Sequence, residues 1–295
     1  MNPRIPRADR DRPRAAQSDG HQPRGALRGE IAQALPLIGP AVLVLVAAAL
    51  VPLSMAVWLS LHRSIVVFHH VEFIGLKHYR FLLSDPRFLS AAANTLYFTA
   101  VAVATELLLA LPLALLLQRS GGPFRAAVLV PWAVPTAVSA KLWAFILNPD
   151  YGLLRVGWLS SPRAALHAAI LIDVWKTTPF VALLLLAGLQ SIPEDVFRAA
   201  RVDGAGPLRI FWRFTLPLLR PSIALAVLFR SLDAFRVFDA IYVLTEGGPG
   251  HTTETLSIYA YKTLMRSGDF GYGATLSVAT FACVLLLFAL IRVRR

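Results

Sequence analysis

A chain of 295 residues that is 56% hydrophobic and only 16% charged lies far from soluble globular domains, which sit near one-quarter charged. Its net charge of +12 invites a nucleic-acid reading, but 25 of the 29 basic residues are Arg concentrated outside the apolar runs, and no basic patch with interleaved aromatics stands on a soluble domain. The single cysteine, Cys283, excludes an internal disulfide and any cysteine-based metal site.

Residues 1–30 are rich in Arg, Pro, Asp, Gly and Gln and cannot bury a core, so they read as a disordered tail. The run from Ile31 to Leu61 then contains no Asp, Glu, Lys or Arg. It is about twice as long as the apolar part of a signal peptide, which predicts a retained first membrane span. About 20 helical residues cross the roughly 30 Å hydrocarbon layer, and the hydropathy pattern predicts spans over 34–61, 93–118, 125–147, 165–189, 221–244 and 271–292. Pro36, Pro40, Pro52, Pro112, Pro131, Pro135 and Pro179 fall inside them, where neighbouring helices can satisfy the freed carbonyls. The fold class expected is all-α, an integral membrane domain of six helices. With both termini cytoplasmic, seventeen Lys and Arg fall in inside segments and eight in outside ones, the asymmetry that sets orientation. No internal repeat supports an inverted-repeat secondary transporter. Outside loops carry His62, His69, His70 and His78, read as ordinary solvated residues, since no metal-binding spacing accompanies them.

Between the fourth and fifth spans lies "EDVFRAARVDGAGPLRIFWRFTLPLLRP", Glu194 to Pro221. Pro193, Glu194 and Asp195 suit a helix start, Ala199 and Ala200 give a face of small side chains, and Asp203-Gly204 stops the helix. Gly206-Pro207 opens a second helix that presents Phe211, Trp212 and Phe214 before Pro217 ends it. Aromatics beside small residues fit docking on a partner; Arg201, Arg209 and Arg213 also fit a helix lying on lipid headgroups.

The stretch "RAARVDGAGPLRIFWRFTLPLLRP" resembles the EAA signature of permease subunits in bacterial binding-protein-dependent ABC importers. Ala199, Ala200, Asp203, Gly204, Ala205, Leu216 and Pro217 match the pattern, while the signature's first Glu is Arg198 here; Glu194 and Asp195, one turn earlier, can supply the negative charge. "NTLYFT", "VPWAVP", "WKTTPF", "AGLQSIPED", "FRVFDAIYVLTEGGPG" and "DFGYGATLS" resemble the carbohydrate branch of the same family, in a compact version without the large external domain of the enterobacterial maltose permease. The resemblance implies a type I ABC importer permease fold and a role for Glu194 to Pro217, Phe211 included, as the helix pair that couples to an ATPase. It also implies a homologous second permease subunit, a dimer of ATPase subunits that bind ATP and Mg, and an extracytoplasmic solute-binding protein, all at the cytoplasmic (inner) membrane. No cofactor is expected in this chain, and none of its four lysines follows a glycine, so a phosphate-cradling Walker loop is missing. The solute implied is a sugar, with glycerol 3-phosphate as the alternative; an ion-coupled transporter or a membrane enzyme on lipid-linked substrate is less well matched.

The fifth predicted span carries Arg230, Asp233, Arg236 and Asp239 at steps of three, so alternating charges can pair along one helical stripe. A lipid-facing charge at the bilayer centre costs about 2.5–3.5 kcal/mol, so these groups must face protein or water. They fit either the lining of a solute pathway or an ion ladder locking helices together. Asp173 and Lys176 read as a mutually neutralising pair, and Glu106 and Lys141 as charges whose partners spacing does not reveal. Trp143, Trp175 and Tyr242 can offer sugar-binding faces, though such residues are also enriched at membrane interfaces without any ligand. No metal site is expected.

Overall fold

The computed structural model describes residues 24–65, 70–162 and 164–293, and the chain divides into two units, Met1–Leu53 and Ser54–Arg295. Residues 1–23 of the expected tail and His69 therefore lie outside the described residues, whereas residues 24–30 are already helical. The described part of the first unit, residues 24–53, belongs to helix α1 (Arg24–Ser60), whose Pro36, Pro40 and Pro52 do not interrupt it.

The described residues of the second unit are mainly helical, with a small β element that the all-α expectation lacks. Strands β1 (His62–Ile65) and β2 (His70–Phe73) form an antiparallel hairpin, with His62 opposite Phe73. Helix α2 (Lys77–Ser84) leads to α3 (Pro86–Arg119), which Asp85 caps by accepting from the Arg87 amide at 2.9 Å, with Pro86 in the first turn. After α3 come α4 (Gly122–Val128), α5 (Val130–Ala133), α6 (Thr136–Ile146), α7 (Ala164–Gln190), α8 (Glu194–Val202) and α9 (Pro207–Ile210). A π-helical turn, Phe211–Thr215, joins α9 to α10 (Leu216–Phe235); α11 (Asp239–Thr245), α12 (Leu256–Tyr261) and α13 (Phe270–Val293) follow.

Among the described residues five helical stretches are long and apolar enough to cross a membrane: Ile38–Ser60, Pro86–Arg119, Ala164–Gln190, Pro207–Phe235 and Phe270–Leu290. The expected third span, 125–147, is instead broken into α4, α5 and α6. Pro131 and Pro135 lack amide donors, and Val134 and Pro135 adopt extended backbone with ψ of 132° and 139°. The expected fifth span, 221–244, begins earlier and stops at Phe235, so Asp239 and Tyr242 belong to the separate helix α11. Pro217 does not end a helix: it stands in the first turn of α10, directly after the π-helical turn.

Helix α7 is the central member. It packs along α3 through small side chains, Ala102, Ala110 and Ala114 on one side and Ala168, Ala169 and Ala182 on the other, all buried. Membrane helices gain contact in this way because lipid supplies no hydrophobic drive between them. At Gly188 the backbone of α7 lies against α10, and a Cβ there would stand 2.1 Å from Ser222 Oγ. Two apolar clusters share α3, α7 and α10. One centres on Phe98, Ile172 and Ile241, the other on Leu117, Leu185 and Leu219. A polar layer separates them.

Candidate functional site

That layer is built around Arg230, which is 2% exposed. Its guanidinium grips Glu106 of α3 in a two-pronged contact, Nε to Oε2 and Nη2 to Oε1, both at 2.6 Å. Nη2 also donates to Asp173 Oδ2 of α7 at 2.8 Å, and Nη1 to Asp233 one turn along α10. The Thr177 hydroxyl lies 2.7 Å from Glu106 Oε1 and 2.6 Å from the Asp173 carbonyl. Three helices are thus tied at one guanidinium. Glu106, fully buried, finds in Arg230 the partner its spacing concealed.

Two readings of the charges are corrected by this geometry. Asp173 bonds to Arg230 rather than Lys176, whose ammonium donates to the backbone carbonyls of Trp132 at 3.1 Å and Val134 at 2.7 Å. The ladder of steps of three holds only over its first members. Arg236 Nη2 stands 3.9 Å from Asp233 Oδ1, but the helix ends at Phe235 and Asp239 starts another.

Beside the guanidinium lies a cavity of about 420 Å³ lined by Trp132, Thr136, Asp173, Lys176, Asp233 and Arg236, with Asp239 at its α11 wall. Asp233 and Arg236 are exposed, as is Asp239. Of the other expected pathway residues, Trp143 and Trp175 meet edge to face at 5.5 Å beside the apolar cluster of Phe98. The indole Nε1 of Trp143 and Ser139 Oγ, four residues apart on α6, are buried without a hydrogen-bond partner among the described residues. Tyr242 stacks on Phe238 at 5.0 Å and receives a hydrogen bond from Arg266 at 3.2 Å; it is not among the lining residues. The lining residues Trp132 and Thr136 were not singled out by sequence, although the Pro131/Pro135 spacing that breaks the helix marks where they lie.

The α8–α9 turn is closed by two bonds, Ala205 N to Ala200 O at 2.9 Å and Gly204 N to Arg201 O at 3.1 Å, with Gly204 at φ +74°. This is the Schellman closure of a helix, in which the residue after the cap must take a left-handed conformation, and glycine does so without strain. Glu194 and Asp195 occupy the first turn of α8, and Asp195 pairs with Arg198 at 2.6 Å. Ala199 and Asp203 are exposed, Ala200 is buried and Ala205 half-buried. Of the aromatics expected on show, only Trp212 is exposed, at 63%; Phe211 and Phe214 are half-buried, because the π-helical turn carries α9 on into α10. Leu216 and Pro217 are half-buried at the same junction. Val202 and Leu208 add apolar surface, 88% and 75% exposed.

The loops joining α2 to α3 and α11 to α12 are knitted by charge. Glu254 receives two bonds from Arg87, at 2.7 and 2.8 Å, and pairs with Lys262 at 2.9 Å. Burial pushes its carboxyl up, yet the bonds from Arg87 and Lys262 prevail and hold it below the ordinary carboxylate range. Asp85 accepts from the hydroxyls of Tyr259 at 2.7 Å and Tyr272 at 2.5 Å. Burial and that bond push Tyr259 up to about 12. His62 belongs to the same region; its Nδ1 lies 2.6 Å from the Trp58 carbonyl, and the two rings stand 4.1 Å apart. His78 is tucked edge-on against Tyr272 rather than solvated, with its Nδ1 buried and unpartnered among the described residues.

The family described as the binding-protein-dependent transport system inner membrane component matches residues 107–294. The trehalose/maltose transport system permease protein of Thermococcus litoralis is 42% identical over 262 residues, covering 84% of this chain and 88% of that protein. The trehalose transport system permease protein of Mycobacterium tuberculosis is 40% identical over 273 residues, covering 89% and 88%. The sulfoquinovosyl glycerol transport system permease protein of Agrobacterium fabrum is 37% identical over 268 residues, covering 86% and 87%. Among solved structures, a bacterial ABC transporter that imports the acidic polysaccharide alginate contains a chain superposing with a TM-score of 0.77 at 21% identity, over 90% of this chain and 97% of that one.

Proposed function

The chain belongs to the family of binding-protein-dependent transport system inner membrane components, and from that premise we propose how its two polar regions divide the work of import. It is a multi-pass membrane protein and a permease subunit of a carbohydrate ABC importer, like its trehalose and maltose relatives. The solute is a di- or oligosaccharide. Three carboxylates in the cavity lining against Lys176 and Arg236 suit a neutral polyol better than glycerol 3-phosphate.

Translocation proceeds by alternating access through the cavity of Trp132, Asp233, Arg236 and Asp239. Energy enters at the other polar region. Glu194 to Pro217 is the handle gripped by a dimer of ATPase subunits that hold ATP and Mg, while a homologous permease and an external solute-binding protein complete the assembly. Both termini lie on the cytoplasmic side, with the broken segment of α4, α5 and α6 as a sixth crossing beside the five long helices; the Lys and Arg asymmetry supports this orientation. The observation that carries this reading is the α8–α9 pair, a rigidly closed turn flanked by the exposed apolar side chains of Val202, Leu208 and Trp212. Such surface is costly in water and fits a protein partner.

The test is reconstitution with the partner subunits in liposomes. Sugar-stimulated ATP hydrolysis together with ATP-dependent uptake is the expected result. Uptake driven by a proton gradient with no ATPase present would overturn the proposal.

A further inference from the structure

Lys176 is a buried cation within a membrane span, and its ammonium donates to backbone carbonyls rather than to a carboxylate. The break at Val134 and Pro135 interrupts the ladder of amide-to-carbonyl bonds at the end of α5, and in lipid such carbonyls need an internal donor. The ammonium supplies it from α7, spending two of its three N–H groups on Trp132 O and Val134 O, where the helix end also favours positive charge. One turn further along α7, Phe180 stacks on the Trp132 indole at 5.4 Å and an interplanar angle of 10°. The short segment from Trp132 to Thr136 is therefore held to α7 at two successive points. Trp132, Thr136 and Lys176 all line the cavity.

We propose that Lys176 is a positioning residue for solute: by holding the broken segment to α7 it fixes the cavity wall made by Trp132 and Thr136. The inference rests on the reading of this cavity as the solute pathway. Without the ammonium the two carbonyls lose their donor, and the wall moves between positions of which only one fits the sugar. The loss then appears in solute affinity, whereas Arg230, which ties α3, α7 and α10 together, governs assembly.

The experiment measures uptake kinetics in the reconstituted importer, using whichever of trehalose, maltose and glycerol 3-phosphate the wild-type assembly imports fastest. Lys176→Met keeps the apolar stem and removes the donors; Lys176→Arg keeps donors for both carbonyls; Asp233→Asn reports on the cavity without touching the wall. The expected result for Lys176→Met is a KM raised about tenfold with kcat within about twofold, reversed to within about threefold by Lys176→Arg. An unchanged KM in Lys176→Met beside a raised KM in Asp233→Asn overturns the proposal and leaves the pathway reading standing. Unchanged KM in both overturns the two together. Should Lys176→Met fail to assemble, Phe180→Leu loosens the same wall through its second contact: a raised KM supports the proposal and an unchanged KM overturns it.

Discussion

The α8–α9 segment and the intramembrane charge layer are both polar interruptions of an apolar chain, yet they are made in opposite ways. The α8–α9 pair is assembled from neighbours in sequence: an acidic first turn, a Schellman closure at Gly204 and a proline at the next helix start. The charge layer is assembled across the chain, Arg230 reaching back 124 residues to Glu106 and 57 to Asp173. The first is exposed and closed by its own backbone; the second is buried and closed only when three helices have met. A local motif can therefore serve as a detachable handle, while a long-range cluster serves as a fastening.

The difference predicts unequal consequences of substitution. Arg230→Leu leaves Glu106 buried and uncompensated, which costs about 3–5 kcal/mol when one partner of a buried pair is removed. The expected outcome is loss of assembled complex in a thermal-stability assay. Adding Glu106→Leu and Asp173→Asn recovers much of the loss, because removing every buried charge of the cluster leaves none uncompensated; a triple variant as unstable as the single one would break the fastening account. Gly204→Val is next. A Cβ there meets nothing within 4 Å, so the penalty is the left-handed backbone alone, about 1–2 kcal/mol. Membrane insertion survives, and the ratio of ATP hydrolysed to sugar imported rises. Normal coupling in this variant would count against the handle.

Asp239→Asn tests the cavity rather than either end of the comparison. Losing one charged hydrogen-bond partner for the solute raises KM by roughly three- to tenfold, or about 1 kcal/mol, with assembly unchanged. Reduced assembly with unchanged KM would move Asp239 into the structural class. The smallest effect belongs to Asp195→Asn, which breaks an exposed pair with Arg198. Such pairs contribute about 0–1 kcal/mol, so the melting temperature of the complex should scarcely move. A change in coupling without one in stability would mark Asp195 as the acidic contact that stands in for the signature's Glu.

The same contrast explains what the sequence made legible. The starts and stops of α8 and α9 follow from Pro193, Gly204 and Pro207, which act on their own backbone, and the continuous apolar runs announce α3, α7 and α13. Proline inside a span was ambiguous: Pro112 and Pro179 leave α3 and α7 whole, whereas Pro131 and Pro135, four residues apart, break the third span. The end of α10 was missed because Arg236 and Asp239 continue the three-residue spacing past the point where the helix stops. Charge partners were misread for the same reason. Asp173 and Lys176 are correctly spaced for each other on a helix, but Arg230 offers Asp173 a better-placed fork, and the broken segment offers Lys176 two carbonyls. Spacing shows which groups can meet along one helix, and nothing about what another helix brings.

The handle is open to a direct measurement. With Cys283→Ser removing the only native cysteine, Leu208→Cys carries a photoactivatable thiol-linked probe at an exposed position of α9. Illumination of the purified assembly is predicted to join this chain to the ATPase subunit, with the adduct lost when that subunit is stripped away. Adducts with lipid alone, while the ATPase remains bound, would contradict the account.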